Sequence, residues 1–245
     1  VADRTWPRVT MPRLAALPAI DGRLSPGEWD AAVPVGGFLH LGGETLAAQQ
    51  PRAWLAWADA GLLVAVQVPL PPGKQARAQA TDFDGTVWND DSVELHVDRG
   101  HQHQRNYQFV VNALGTEFDS LSGDKAYNAQ WQAAAVNEPG QWSCELLVPW
   151  AAMQSQAPRV GEMDGFNLAI NASNLGGILS FAPLTGTLHQ PAKFAHLVYG
   201  AGPACGVVGD LNVLAGVRLQ AVGTGTLQTS LTLSRLLPGG GTEPV

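Results

Sequence analysis

The residues best equipped for chemistry lie in one stretch, Trp88-Asn89-Asp90-Asp91-Ser92-Val93-Glu94-Leu95-His96-Val97-Asp98. From Ser92 onward apolar and polar residues alternate, the period of a strand with one buried face. Val93, Leu95 and Val97 then face a core, while Ser92, Glu94 and His96 share the other side. An aromatic ring at the mouth of such a face, with a carboxylate and an amide behind it, suits a sugar. The ring covers the apolar C–H face of a pyranose, and the carboxylate accepts from paired hydroxyls. Gln108, in the alternating run Tyr107-Gln108-Phe109-Val110-Val111-Asn112, also lies off the core face and can join Glu94. The same pattern equally fits a Trp88 packed in the core beside a merely solvated Glu94.

Two other constellations suggest metals. Asp82, Asp84, Asp90 and Asp91 crowd one polar stretch, and clustered carboxylates suit Ca²⁺, which takes several oxygen ligands. Their spacing is not that of an EF-hand loop, and an acidic loop with nothing bound is the competing account. His101-Gln102-His103 places two imidazoles two residues apart, with His96 nearby. On a strand such residues share a face and can hold a metal; the polar surroundings, residues 99–106, read instead as a solvated loop tip.

Signatures of catalysis are missing. The chain has no G-x-S-x-G elbow, no H-E-x-x-H and no phosphate loop ending in G-K-[ST]. Adjacent acidic residues on one strand point to opposite faces, which makes a poor glycosidase pair. A haem reading has candidates in Met153, Met163, Lys193 and His196, but axial ligation needs two of them facing across a pocket. With Lys+Arg 14 against Asp+Glu 21, the net charge of −7 lacks the footprint of a nucleic-acid binder or of a protein drawn to anionic membranes. No apolar run reaches the roughly 18 residues of a spanning helix. Cys144 and Cys205 suit either one disulfide or two separate thiols. Asn171-Ala172-Ser173 is a lone glycosylation sequon.

The elements that must position these residues are mostly strands. Leu62, Val64, Val66 and Val68 alternate with small or polar residues, and Asp59-Ala60-Gly61 joins them to the preceding run as a hairpin. Trp142, Cys144, Leu146 and Val148 form another core face, as do Phe166, Leu168 and Ile170. Gly 28 and Pro 17 supply the turns. The expected fold is all-β, an antiparallel β-sandwich of jelly-roll or immunoglobulin-like type. Ser25-Pro26-Gly27-Glu28 reads as a capping box opening one short N-terminal helix, and a helical turn is expected after Pro149. The sandwich should span residues 14–200. Residues 201–245 form a β-hairpin extension, from 217–222 and 226–233, or the start of a further domain, ending in a Gly-rich linker. Strands in 207–237 offer edges for self-association or a neighbouring domain.

Six motifs in order resemble carbohydrate-binding module family 9. Pro18-Ala19-Ile20-Asp21-Gly22-Arg23-Leu24, running into Glu28-Trp29-Asp30-Ala31-Ala32, resembles its opening. Trp88-Asn89-Asp90-Asp91-Ser92-Val93-Glu94 and Tyr107-Gln108-Phe109-Val110-Val111-Asn112 resemble its middle. Glu145-Leu146-Leu147-Val148-Pro149-Trp150, Gly165-Phe166-Asn167 and Pro191-Ala192-Lys193-Phe194 keep the order to the end. The resemblance spans about residues 14–199. It implies a calcium-stabilised sandwich, non-catalytic, found in secreted bacterial polysaccharide-degrading proteins, that binds the ends of sugar chains. Trp88 matches one of two Trp rings that clasp the sugar in the family, Glu94 the carboxylate and Gln108 the amide. Asn112, Asn167 and Phe181 join them as candidates, the last standing where relatives often carry Trp. Two departures stand out. The family's Arg aligns with Val110, and its second Trp aligns with Leu188 or His189. The fold implied is therefore firmer than the ligand, and a structural or assembly role without sugar is the alternative.

Overall fold

The computed structural model describes residues 6–42, 45–202, 206–207, 221–222, 234–236 and 242–244. Two sheets dominate. The larger contains β1 (Arg8–Met11), β3 (Leu39–His40), β6 (Ser92–Asp98), β7 (Tyr107–Asn112), β8 (Glu117–Leu121), β11 (Met163–Ala172), β12 (Gly177–Ser180) and β13 (Ala195–Tyr199). Its order is β1-β13-β11-β6-β7-β8, with β12 pairing β11 and β3 pairing β12. The smaller sheet runs β2-β4-β5-β10-β9, from β2 (Val33–Val35), β4 (Arg52–Ala58), β5 (Gly61–Pro69), β9 (Gln132–Glu138) and β10 (Gln141–Pro149). All pairings within the two sheets are antiparallel except β1 with β13.

The expected antiparallel sandwich is the fold observed. Alternation decides which residues meet between the sheets. Val93, Leu95 and Val97 of β6, Phe109 of β7 and Phe166 of β11 meet Leu62, Val64 and Val66 of β5 and Trp142 and Cys144 of β10 in one buried cluster. Cys144 is a fully buried thiol, its pKa pushed up by burial; Cys205 lies outside the described residues. The outer face of the smaller sheet is covered by the N-terminal segment, where Trp29 packs on Ala56, Leu63 and Leu147. Glu145 latches that segment: its carboxylate accepts from Trp29 Nε1 at 2.8 Å, Asp21 N at 3.0 Å and Gly22 N at 2.9 Å. A bond between a carboxylate and buried donors is among the stronger neutral-pH contacts a domain has.

The short N-terminal helix is not formed. Residues 26–32 are turns. Half of the capping box exists, Ser25 N donating to Glu28 Oε2 at 3.2 Å. The other Glu28 oxygen, however, accepts from Ala19 N at 2.7 Å, and Gly27 takes φ +86°. A left-handed residue cannot continue a right-handed helix, so the signal produces a turn. The helical turn after Pro149 is present as a 3₁₀ segment, Trp150–Met153. Of the C-terminal hairpin, only Ala221–Val222 falls among the described residues, and it pairs with Gly206–Val207. The rest of 217–222 and all of 226–233 lie outside them. Among the described residues no helix is long and apolar enough to cross a membrane.

Candidate functional site

The outer face of the larger sheet is not a solvated surface. Ser92, Glu94, His96 and Asp98 are all buried, roofed by loops that arrive from distant parts of the chain. Rungs run across the strands: Ala169, Glu94, Val110 and Phe118 form one, and Asn167, His96, Gln108 and Ser120 the next. Long side chains on neighbouring rungs reach each other diagonally. Ser120 Oγ donates to Gln108 Oε1 at 2.8 Å, and Gln108 Nε2 donates to Glu94 Oε2 at 2.8 Å. His96 Nε2 stands 3.4 Å from the same carboxylate oxygen, while its Nδ1 faces Asn106 Nδ2 at 3.0 Å.

This relay forms the floor of a pocket of about 430 Å³. Trp88 and Phe118 make one wall, Leu41 and Ile178 another, and Gly186, Thr187, Leu188 and His189 close the third side from a loop. Trp88 is half-buried and packs edge-to-face on Phe118, ring centroids 4.7 Å apart. Its carbonyl accepts from Asn171 Nδ2 at 3.0 Å, so the sequon's nitrogen holds the Trp88 turn. Lys125, from the turn after β8, lies with Nζ 4.1 Å from the Trp88 ring centroid. Burial and the neighbouring His96 depress the His189 pKa, and Glu94 opposes them.

Of the six sugar-contact candidates, Trp88, Glu94 and Gln108 line the pocket together. The other three serve the fold. Asn112 Oδ1 accepts from Leu114 N and Thr116 N, and its Nδ2 donates to Ala80 O and Asp90 Oδ2. Asn167 Oδ1 accepts from Ser180 Oγ at 3.0 Å and Ala182 N at 2.8 Å. Phe181 stacks on Phe166 in the core at 5.2 Å. Sequence reasoning missed Ser120 and Lys125. The one available signal was that Ser120 follows Phe118 by two and so shares its face.

The departures from the family resemblance become legible here. Val110 lies under the aromatic wall, clustered with Val87, Phe118 and Trp88, so no cation rises from that position. The cation in the pocket is Lys125, from a turn. Leu188 and His189 both reach the pocket wall where a second ring was expected.

Asp82, Asp84, Asp90 and Asp91 do not make one oxygen cage. Asp90 Oδ2 accepts from Gln79 N, Ala80 N and Asn112 Nδ2. Asp91 accepts from Ser173 N and Arg77 N, and from Ser173 Oγ. Carboxylates so used act as backbone ties. Asp84 turns elsewhere: its Oδ1 stands 3.5 Å from Asp119 N. Asp119 is fully buried, its Oδ1 has no hydrogen-bond partner, and burial raises its pKa, with the Asp84 charge adding to the rise. Asp84 and Asp119 are thus neighbouring carboxylates, two of the six to eight oxygens that a calcium ion takes.

The haem candidates are scattered. Met153 is in the core, Lys193 Nζ donates to Thr185 Oγ1 at 2.7 Å, and Met163 and His196 sit on adjacent rungs of one sheet face. None of the four lines the pocket beside Trp88.

A β-sandwich with a recessed pocket on one sheet, walled by an aromatic ring and floored by a tethered carboxylate and amide, defines a ligand-binding module. Residues 20–183 match the model of the carbohydrate family 9 binding domain-like family, and the chain belongs to that family. Solved structures of similar fold include a proposed carbohydrate-binding protein from Bacteroides uniformis, with TM-score 0.61 and 17% identity, covering 80% of this chain and 100% of its own. Another is a family 9 carbohydrate-binding module from Caldicellulosiruptor kristjanssonii in complex with cellotriose, with TM-score 0.58, 19% identity and coverage of 78% and 92%. The glucose complex of a family 9 module from the same organism has TM-score 0.58, 19% identity and coverage of 77% and 96%. No curated protein matches the chain at a significant level.

Proposed function

We propose that this chain is a non-catalytic module, extracellular or periplasmic, that binds a sugar residue in the pocket between Trp88 and the 186–189 loop. The observation that carries the reading is the Ser120–Gln108–Glu94 relay at the pocket floor. Gln108 occupies Glu94 Oε2 and is itself oriented by Ser120, so the carboxylate is held in place before a ligand arrives. Preorganised acceptors of this kind suit sugar hydroxyls, and each bond to a charged acceptor contributes roughly 1.5–3 kcal/mol.

Trp88 supplies the apolar platform. Lys125 covers it now, but a cation–π contact at an exposed site contributes only about 0.5–1 kcal/mol. A sugar ring that stacks there displaces the ammonium at small cost, and the freed Nζ can donate to a hydroxyl. Lys125 then takes the part that Val110 cannot play. The wall opposite is Leu188 and His189, softer and smaller than a second Trp, which favours weak binding of a single terminal residue.

The lining favours binding without chemistry. Among the described residues around the pocket, Glu94 is the one carboxylate, whereas glycoside hydrolysis needs two, about 5–9.5 Å apart. A calcium ion held by Asp84 and Asp119 would brace the turn beside β8, away from recognition.

The similar modules seen with glucose and cellotriose set the first ligands to test. Glucose, cellobiose, cellotriose and a wider glycan panel, measured by titration calorimetry against wild type and Trp88→Ala, should give saturable binding. The variant should lose at least about tenfold in affinity, the worth of one aromatic platform. A blank panel with both proteins folded would overturn the reading and turn attention to an assembly role.

A further inference from the structure

A second cluster lies on the same sheet face, one rung beyond His96. Asp98 ends β6, and the residue paired with it on β11 is Gly165, which pairs in turn with His196 of β13. Paired residues on adjacent antiparallel strands point to the same side. Asp98 and His196 thus stand two strands apart with bare glycine backbone between them.

His101 fills that gap. A Cβ placed on Gly165 would sit 2.6 Å from His101 Nδ1 and 3.3 Å from Asp98 Cβ. The absent side chain is what lets the imidazole lie against the sheet. The turn carrying it is fastened to Asp98, whose carbonyl accepts from His101 N at 3.0 Å and whose Oδ2 accepts from His103 N at 2.6 Å. His101 and His103 both take left-handed backbone, φ 50° and 63°. That conformation is strained for residues with a side chain, and such strain concentrates at functional sites. The ring centroids of His101 and His103 are 4.3 Å apart, and the His196 ring meets His101 edge-on at 4.6 Å.

We propose that Asp98, His101 and His103 form a binding site for one divalent transition-metal ion of the zinc class. One ligand atom from each lies within 4.8 Å of the others. A tetrahedron with arms of about 2.1 Å has edges near 3.4 Å, so the three need close by no more than about 1.4 Å. His103 is exposed and can make that movement, whereas Asp98 and His101 are already set by the sheet. His101 Nδ1 is buried without a hydrogen-bond partner, an orphaned nitrogen of the kind a metal or its bound water satisfies.

Two imidazoles and a carboxylate are the donors of a borderline ion, not of Ca²⁺ or Mg²⁺, which prefer oxygen throughout. Three protein ligands leave the fourth position to water or another donor. The ion would pin the 99–106 turn. Through His103, whose Nδ1 lies 3.4 Å from the Pro191 carbonyl, it would also brace the segment leading back to His189.

The test is titration of chelator-stripped intact chain with zinc chloride by calorimetry. One Zn²⁺ per chain is expected. His103→Ala should weaken binding by on the order of a hundredfold, since loss of even an outer-sphere partner costs 10–100-fold. His103 is exposed, so the variant should keep the wild-type circular dichroism spectrum and metal-free melting temperature. His40→Gln, at a distant histidine, should leave the affinity unchanged. Absence of saturable binding, or stoichiometric binding that survives both His103→Ala and Asp98→Asn, would overturn the site. Neither result bears on sugar binding at Trp88, which is measured separately.

Discussion

Asp91 distinguishes a metal ligand from a structural tie. It is 1% exposed. Oδ1 accepts from Ser173 N at 2.7 Å, and Oδ2 accepts from Arg77 N at 2.8 Å and Ser173 Oγ at 3.1 Å. Its backbone continues the tie, with N donating to Arg77 O and O accepting from Ala113 N. Asp91→Asn preserves the shape but turns an NH₂ toward one of those N–H donors. One charge-assisted bond is lost and the survivors weaken to neutral ones. At roughly 1.5–3 kcal/mol per bond to a charged group, the total is about 3 kcal/mol. For a domain of this size that lowers Tm by roughly 6–12 °C. Thermal melts of wild type and variant, each with calcium and with chelator, measure it. The gap between the two proteins should be the same in both buffers. A shift common to both would report an ion elsewhere, at Asp84 and Asp119. A gap that exists in calcium and closes in chelator would refute the reasoning, because Asp91 would then act through the ion.

Two further outcomes follow from charged groups. Arg99 pairs with buried Asp164, which also accepts from Tyr199 OH and Gly100 N, and its guanidinium lies 5.3 Å over the Trp150 ring. Arg99→Ala leaves the carboxylate buried without its cation and should cost about 3–5 kcal/mol in urea denaturation; a loss under 1 kcal/mol would mean water replaces the guanidinium. His189 faces His96 and Glu94, and its pKa is depressed below the ordinary value of 6.5, mainly by burial. The unfolded chain therefore takes up this proton first as pH falls. The stability His189 contributes is complete above pH 6.5 and is lost as pH falls through its depressed folded-state value. His189→Gln should flatten the wild-type stability profile over that window, and parallel profiles would contradict the assignment.

Glu145 shows how a motif can be recognised before its purpose is known. It appeared in the sequence among residues that resemble a sugar-binding family, as did Asp21, Gly22 and Trp29. Their common purpose is the latch that holds the N-terminal segment to the smaller sheet, visible only when β10 lies beneath that segment. Glu94 and Gln108 could be placed because strand alternation is a local property, whereas Trp88 sits in the 3₁₀ turn Val87–Asn89 ahead of β6. Asn112 and Asn167 have the same alternation, yet their partners include residues 80, 90 and 180, and Phe181, just beyond β12, stacks on Phe166; no local pattern names these contacts.

What the chain alone determined is the side of each strand. Side chains alternate every residue because the extended backbone does, so apolar spacing suffices to define the core faces of β5, β6, β7, β10 and β11. It also orders the motifs that identify the family. What the tertiary structure decided is which outward residues become a site. β8 and its turn bring Ser120 and Lys125, the 186–189 loop brings Leu188 and His189, and the Asp98–Gly165–His196 rung makes room for His101. Each depends on register between strands far apart in the chain. Register is set by packing over the whole sheet, and one residue of slip would turn the strand side chains, Ser120, Asp98 and His196, to the other face and misplace the turns they carry.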